Sequence, residues 1–246
     1  MGYTCGTEIV RDGLIFYVDA ANHKSYISDS TTVNSFMEGY SGSFVGGVAF
    51  STSSLGNWEF SGNTERIDFG QASGGGFTSA LDPQLNNFTA NIFFQINSNP
   101  TETGIIMGKG CGSSNKIGWL MLYSYNNDNL VLRVSGQDTT IQRASVSLNF
   151  SKSKVHMATL VIDRTNNQII GYLDGKNPQT ASMLENDPPY TPFDSIISPN
   201  KLLLGARHNS PRLGLQGNIY LAQIYNRALS PKEVLKNYNA LGGRFN

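Results

Sequence analysis

The chemistry this chain could carry rests on a small set of residues. Gly104-Ile105-Ile106-Met107-Gly108-Lys109-Gly110 has the look of a phosphate-binding loop. The spacing fails, because the first glycine would have to be Thr103 and the Ser or Thr after the lysine is Gly110. No helical pattern follows it, so the segment reads as a glycine-rich turn between strands. Glycoside hydrolysis needs two carboxylates about 5–10 Å apart. The seven glutamates form no Glu-x-Asp-x-Glu cluster, and Glu65 and Asp68 fall on opposite faces of any strand. Solvated charges on a sheet account for them. No Gly-x-Ser-x-Gly elbow is present, and His23, His156 and His208 lack the spacing of a zinc site. His156 alternates with Ala158 and Leu160, as a satisfied, half-buried histidine would. Cys111 has no identifiable base, and its pairing with Cys5 is open. These patterns predict no catalysis and no cofactor. A calcium site could be drawn from Asp163, Asp174 or Asp194, but no ordered oxygen-ligand loop of the EF-hand kind is present.

Binding is better provided for. Trp119, Tyr123 and Tyr125 share one face of a strand by alternation, beside Asn91 and Phe93 if the two strands are neighbours. Rings stack on the apolar faces of pyranoses and amides hydrogen-bond their hydroxyls, so these five residues make a candidate glycan platform. Stripes of aromatics in strands more often pack under a loop or against another subunit, and that reading carries the greater weight.

The elements that must position these residues are strands. Short apolar or alternating runs recur at 13–20, 57–69, 87–97, 103–109, 117–125, 129–135, 154–163, 168–174, 200–206 and 217–226, separated by Gly/Asn/Asp/Ser clusters. Asn126-Asn127-Asp128 and Thr165-Asn166-Asn167 read as hairpin turns. In 88–96, Phe88, Ala90, Ile92, Phe94 and Ile96 line one face, while Thr89, Asn91, Phe93 and Gln95 line the other. That predicts a sheet with one fully packed side. Ser230-Pro231-Lys232-Glu233 forms a capping box that opens a helix over about 231–241, with Val234, Leu235, Tyr238 and Leu241 as its apolar stripe. Four of the nine prolines fall within 187–200, read as one long ordered loop. The prediction is an all-β, two-sheet antiparallel jelly-roll sandwich with one short C-terminal helix. Residues 1–12 are an N-terminal arm and 13–246 a single domain.

Composition bounds the partners. The chain has 246 residues, 18 Lys+Arg against 18 Asp+Glu, and only 15% charged residues, below the ~25% of average domains. A neutral surface without basic runs argues against nucleic acid and anionic membranes. Apolar content of 39% is too high for disorder. Residues 1–12 show no basic segment leading into an apolar one, so cytosolic synthesis is expected.

Several segments occur together in a telling order: Gly13-Leu14-Ile15-Phe16-Tyr17-Val18-Asp19-Ala20, Phe88–Phe94, His156–Asp163, Gly171–Lys176, Leu203–Arg207 and Gly217–Ser230. Over about 13–241 this order resembles the concanavalin A-like lectin/glucanase superfamily in its laminin G-like branch. The resemblance implies a jelly roll whose last strand leads into a short helix. The opening GLIFYVDAAN and the closing YNRALSPKEVLKNYNALGGRF are similar to versions found in tailed-bacteriophage virion proteins, where such modules are capsid decorations, tail components or fibre parts. The hydrolase branch carries paired glutamates that this chain lacks, so its activity is not implied. The resemblance thus implies a non-enzymatic virion structural protein, made in the host cytoplasm and located in the virion. Its partners would be other virion proteins in a homo-oligomeric or symmetric multi-copy assembly, with glycans as a further ligand class. The alternative is a free-standing carbohydrate-binding lectin or adhesin module.

Overall fold

The computed structural model describes residues 8–37, 39–52, 56–62, 64–70, 79–110, 117–137, 141–184, 192–207 and 213–245. Cys5, Cys111, His208 and the prolines at 188 and 189 lie outside the described residues, as does most of the expected N-terminal arm. Two eight-stranded antiparallel sheets face each other. The first holds β1 (Leu14–Asp19), β4 (Ala49–Ser51), β5 (Asn57–Ser61), β7 (Phe88–Ile96), β12 (His156–Asp163), β13 (Gln168–Leu173), β14 (Lys176–Ser182) and β16 (Gln216–Tyr225). The second holds β2 (Thr32–Asn34), β3 (Ser41–Val45), β6 (Arg66–Phe69), β8 (Gly104–Gly110), β9 (Gly118–Ser124), β10 (Asn129–Gln137), β11 (Ile141–Leu148) and β15 (Leu202–Leu204). The jelly-roll sandwich expected from the strand pattern is the fold observed.

Period-two alternation builds the core. Phe88, Ala90, Ile92, Phe94 and Ile96 of β7 all enter the main apolar cluster, opposite Met107, Trp119, Met121, Leu130 and Leu132 of the second sheet. Burying side chains of this size contributes roughly 1.5–3 kcal/mol each before the entropy cost of ordering them. The two predicted hairpins form, with Asp128 and Asn167 at φ 49° in the left-handed region that Asn and Asp tolerate.

Three features differ from expectation. The run 57–69 is two strands, because the chain leaves the first sheet after Ser61 and enters the second at Arg66. Gly62, at φ +104°, makes that crossing, and the Glu65 carboxylate accepts from the Ser61 backbone N–H and hydroxyl. The outer face of β7 is also packed, where a polar open face was expected. Phe93 joins Met157, Val161, Tyr220, Tyr225 and Val234 in a second apolar cluster. Strands β2, β3, β4, β11 and β14 were not anticipated. The first three are short, and β14 is an edge strand of almost wholly exposed residues carrying Pro178, so no alternation marks it.

The second cluster exists because the helix α1 (Pro231–Gly242) lies on the first sheet. Its capping box is complete: the Ser230 hydroxyl accepts from Glu233 N, and the Glu233 carboxylate accepts from Ser230 N at 2.9 Å. Phe93 stacks on Tyr238 at a centroid distance of 6.4 Å and packs against Phe245. Beyond the helix, Arg244 Nη1 reaches both Asp19 oxygens at 2.9 Å, tying it to β1. Of the loop expected over 187–200, residues 187–191 lie outside the described residues; the remainder is anchored, with Phe193 and Ile196 inside the main core.

Candidate functional site

The five residues of the expected platform do not meet. Strands β7 and β9 lie in different sheets, so the condition that would bring Asn91 and Phe93 beside Trp119 is not fulfilled. Trp119 is fully buried between the sheets, and its indole N–H donates to the Leu81 carbonyl at 3.2 Å. Tyr123 is buried beside it, donating its hydroxyl to Asp128 at 2.8 Å; burial and that carboxylate push its pKa up to about 12. Asn91 and Phe93 sit on the opposite side of the first sheet, beneath α1, with the Asn91 amide donating to Gln223 at 3.4 Å. Only Tyr125 is exposed, at 49%. Alternation tells which residues share a face; it does not tell whether that face looks inward.

The aspartates considered for calcium are each engaged. Asp163 accepts from Asn166 and Gln168 in its turn. Asp174 accepts from Met157 N and lies 2.8 Å from His156 Nδ1, whose Nε2 is 3.0 Å from the Ser151 carbonyl. Asp194 gives its backbone carbonyl to Arg164. Among the described residues no three His, Cys, Asp or Glu side chains gather as a metal would need, and no helix is long and apolar enough to cross a membrane.

A different place has the concavity of a ligand site. At one end of the sandwich a cleft of about 510 Å³ opens between the segment leading into β7, the start of β1 and the residues after β16. That volume is within the usual range for small-molecule sites, roughly 300–1,000 Å³. Its apolar wall is Ile15, Ala80, Pro83 and Phe88; its polar wall is Asn86, Asn87 and Asn226, with Gln84, Asp82 and Arg227 completing the lining.

The segment 79–87 has no regular structure beyond the turn Ser79–Leu81, so its shape comes from tertiary anchors. Lys109, pointing inward from β8 and 1% exposed, donates to Asp82 Oδ2 and to the Ser198 carbonyl, both at 2.6 Å. Ser198 N donates to the other Asp82 oxygen at 3.2 Å. Burial pushes the Asp82 carboxyl up and the Lys109 ammonium down, and the attraction between them opposes both movements. Gln84 and Ile196 exchange backbone hydrogen bonds at 3.1 and 3.2 Å. Arg164 then clasps the segment from behind. Its guanidinium donates to the carbonyls of Gln84, Phe193 and Asp194, and its backbone N–H donates to Asn87 Oδ1 at 2.8 Å.

The other wall is equally fixed. Arg227 Nη1 and Nη2 grip Glu233 at 3.1 and 2.6 Å, and Nε lies 2.9 Å from Asp12 Oδ2. This pairing raises the Arg227 pKa and holds the Glu233 carboxyl down at about 2. Gly13, at φ +75°, lets β1 pass under Asn226; a Cβ there would stand 2.9 Å from Asn226 Oδ1. Sequence reasoning missed this cleft. The one local sign is the amide-rich turn Gln84–Asn87, and in the sequence Lys109 stands out only as part of a failed phosphate loop.

The fold and the cleft can be set beside known proteins. The family model Laminin_G_3, described as the concanavalin A-like lectin/glucanases superfamily, matches residues 69–235. The chain belongs to that superfamily. Among solved structures, Trypanosoma rangeli sialidase in complex with sialic acid is similar over 99% of this chain and 35% of its own length, with TM-score 0.66 and 14% identity. The binding domain of Paraclostridial Mosquitocidal Protein 1 is similar over 92% of this chain and 52% of its own, with TM-score 0.64 and 16% identity. The botulinum neurotoxin serotype G binding domain matches with TM-score 0.62 and 14% identity over 92% of this chain and 50% of its own. This chain therefore spans a third to a half of these structures, and identities this low establish the shared lectin-like fold alone. A comparison with curated proteins gives no match.

Proposed function

We propose that this concanavalin A-like domain is a non-enzymatic carbohydrate-binding module and that the cleft beside segment 79–87 is its binding site. The observation that carries the reading is the rigid, amide-lined cleft at one end of a lectin-like sandwich. Amides offer paired donors and acceptors that match vicinal hydroxyls. The carboxylate in the wall, Asp82, is committed to Lys109 and Ser198, which leaves it poorly suited to proton transfer. Two of the similar solved structures are binding domains of toxins, and the first is a sialidase in complex with sialic acid, which is consistent with this reading. A glycan array probed with the intact protein tests it. Binding lost in an Asn86→Ala variant of unchanged melting temperature is expected; failure to retain any glycan would end the reading.

The setting we propose is a tailed-phage particle, with the domain made in the host cytoplasm and carried in many copies on other capsid or tail proteins. What supports it is the resemblance of the opening and closing segments to virion modules, together with their joint placement. Strand β1 pairs with β16, and Arg227 after β16 reaches back to Asp12. Mass spectrometry of purified particles should find the chain, and mature particles without it would remove the virion setting while leaving the lectin reading intact.

A further inference from the structure

The cleft has an electrostatic character that narrows its ligand class. Two formal charges line it, and each is already paired within the protein. Asp82 is buried, with both oxygens occupied, by Lys109 Nζ at 2.6 Å and by Ser198 N at 3.2 Å. Arg227 commits Nε to Asp12 and both terminal nitrogens to Glu233. A ligand carboxylate or sulfate would meet a guanidinium whose charge is already balanced by two carboxylates, one of them in a bidentate pair that is among the stronger polar contacts a protein makes. A ligand ammonium would meet the same obstacle at Asp82.

The amides are in the opposite condition. Asn87 is engaged at both ends, by Arg164 N and, at 3.5 Å, by Thr165. The side-chain amides of Asn86 and Asn226 carry no hydrogen bond among the described residues, and both line the cleft. Each offers one acceptor and two donors. Ile15, Ala80 and Pro83 supply an apolar wall against which the C–H face of a sugar ring can lie.

Resting on the lectin reading above, we infer that the cleft selects uncharged pyranoses, read by Asn86 and Asn226, and rejects acidic sugars. Hydroxyls satisfy free amides without disturbing the internal ion pairs, whereas an anionic substituent meets a cation already paired with Asp12 and Glu233. Binding is accordingly insensitive to salt, since no charge pairs across the interface.

The test uses the intact protein, followed by NMR while methyl glucoside, methyl galactoside, glucuronic acid and sialyllactose are added separately. A neutral glycoside should perturb backbone signals of 80–88 and 226–227, with affinity unchanged between about 50 mM and about 500 mM salt. The double variant Asn86→Ala/Asn226→Ala should bind it about tenfold or more weakly, two hydrogen bonds of ordinary strength being lost. Both positions are exposed or follow a strand end, and an unchanged melting temperature certifies the fold. An acidic sugar binding as tightly as its neutral counterpart, or neutral binding indifferent to the double substitution, overturns the inference. Sugar-induced shifts confined to another region also overturn it, together with the placement of the site in the cleft, while sparing carbohydrate binding itself; no shifts with any sugar remove both.

Discussion

Replacing Lys109 by Met probes the anchor beneath the cleft. Methionine nearly fills the volume of the lysine stem, so the main change is electrostatic: the Asp82 carboxylate loses its counter-ion and keeps only the Ser198 N–H, while the Ser198 carbonyl loses its donor. Removing one partner of a buried pair costs about 3–5 kcal/mol, because the remaining charge is stranded in a medium that solvates it poorly. For a domain of this size that corresponds to a fall of about 6–20 °C in melting temperature. Restoring neutrality with Asp82→Asn in the same chain should recover most of the loss, to within about 1–2 kcal/mol of the parent. Urea unfolding of the parent, both single variants and the double variant closes the cycle and isolates the pair energy. The pH dependence has a definite sign. In Lys109→Met the stranded carboxyl has a folded pKa above its ordinary 3.8, already raised by burial and no longer opposed by the ammonium. A raised folded pKa favours stability below the unfolded value and loses it as pH rises through the folded value, so the deficit should shrink as pH falls from about 7 toward about 4. A single variant within about 1 kcal/mol of the parent, or a double variant no better than the single, would refute the reasoning.

Three further outcomes follow from the same structure. Glu233 has its pKa lowered from 4.5 to about 2 by Arg227 and the Ser230 cap, so its stabilisation is present above 4.5 and disappears as pH falls toward 2. With the side chain 31% exposed, solvent screening reduces the worth of that shift to about 1–2 kcal/mol, and Glu233→Gln should lose this amount at pH 7 and much less at pH 3 in urea titrations. Gly13→Ala should cost about 1–2 kcal/mol, read by calorimetry, since the side chain meets both a left-handed φ and Asn226. Trp119→Ala should lower stability by about 3–5 kcal/mol while the folded fraction keeps its glycan affinity, because the indole sits between the sheets; a stable variant that lost binding would return Trp119 to the ligand surface.

Local signals made much of the architecture legible. The alternation in β7 named every residue it sends into the core, and the capping box placed α1 within a residue at its start. Where long-range packing decides, the same signals misled. Phe93 reads as the odd aromatic on a polar face until Tyr238 and Phe245 are brought over it by α1. The break between β5 and β6 left one trace: Trp58 and Phe60 fall on even positions and Ile67 and Phe69 on odd ones, so the alternation changes phase across Gly62, where the chain passes from one sheet to the other. The site was the least legible part. A loop of one proline, three amides and one aspartate carries no pattern of its own, and its shape is imposed by Lys109, Arg164 and Ser198, none of them near it in sequence.

That last fact bears on the order in which the molecule can assemble. Asp82 and Ser198 are 116 positions apart and Asp12 and Arg227 are 215 apart, so the walls of the cleft depend on closing long chain segments. Contacts of such sequence separation are entropically late. A polypeptide emerging from the ribosome presents the cleft-forming loop long before its struts have been synthesised. On the proposed reading, sugar recognition at this end of the sandwich would have to await those closures, and a bound sugar would report that they have formed.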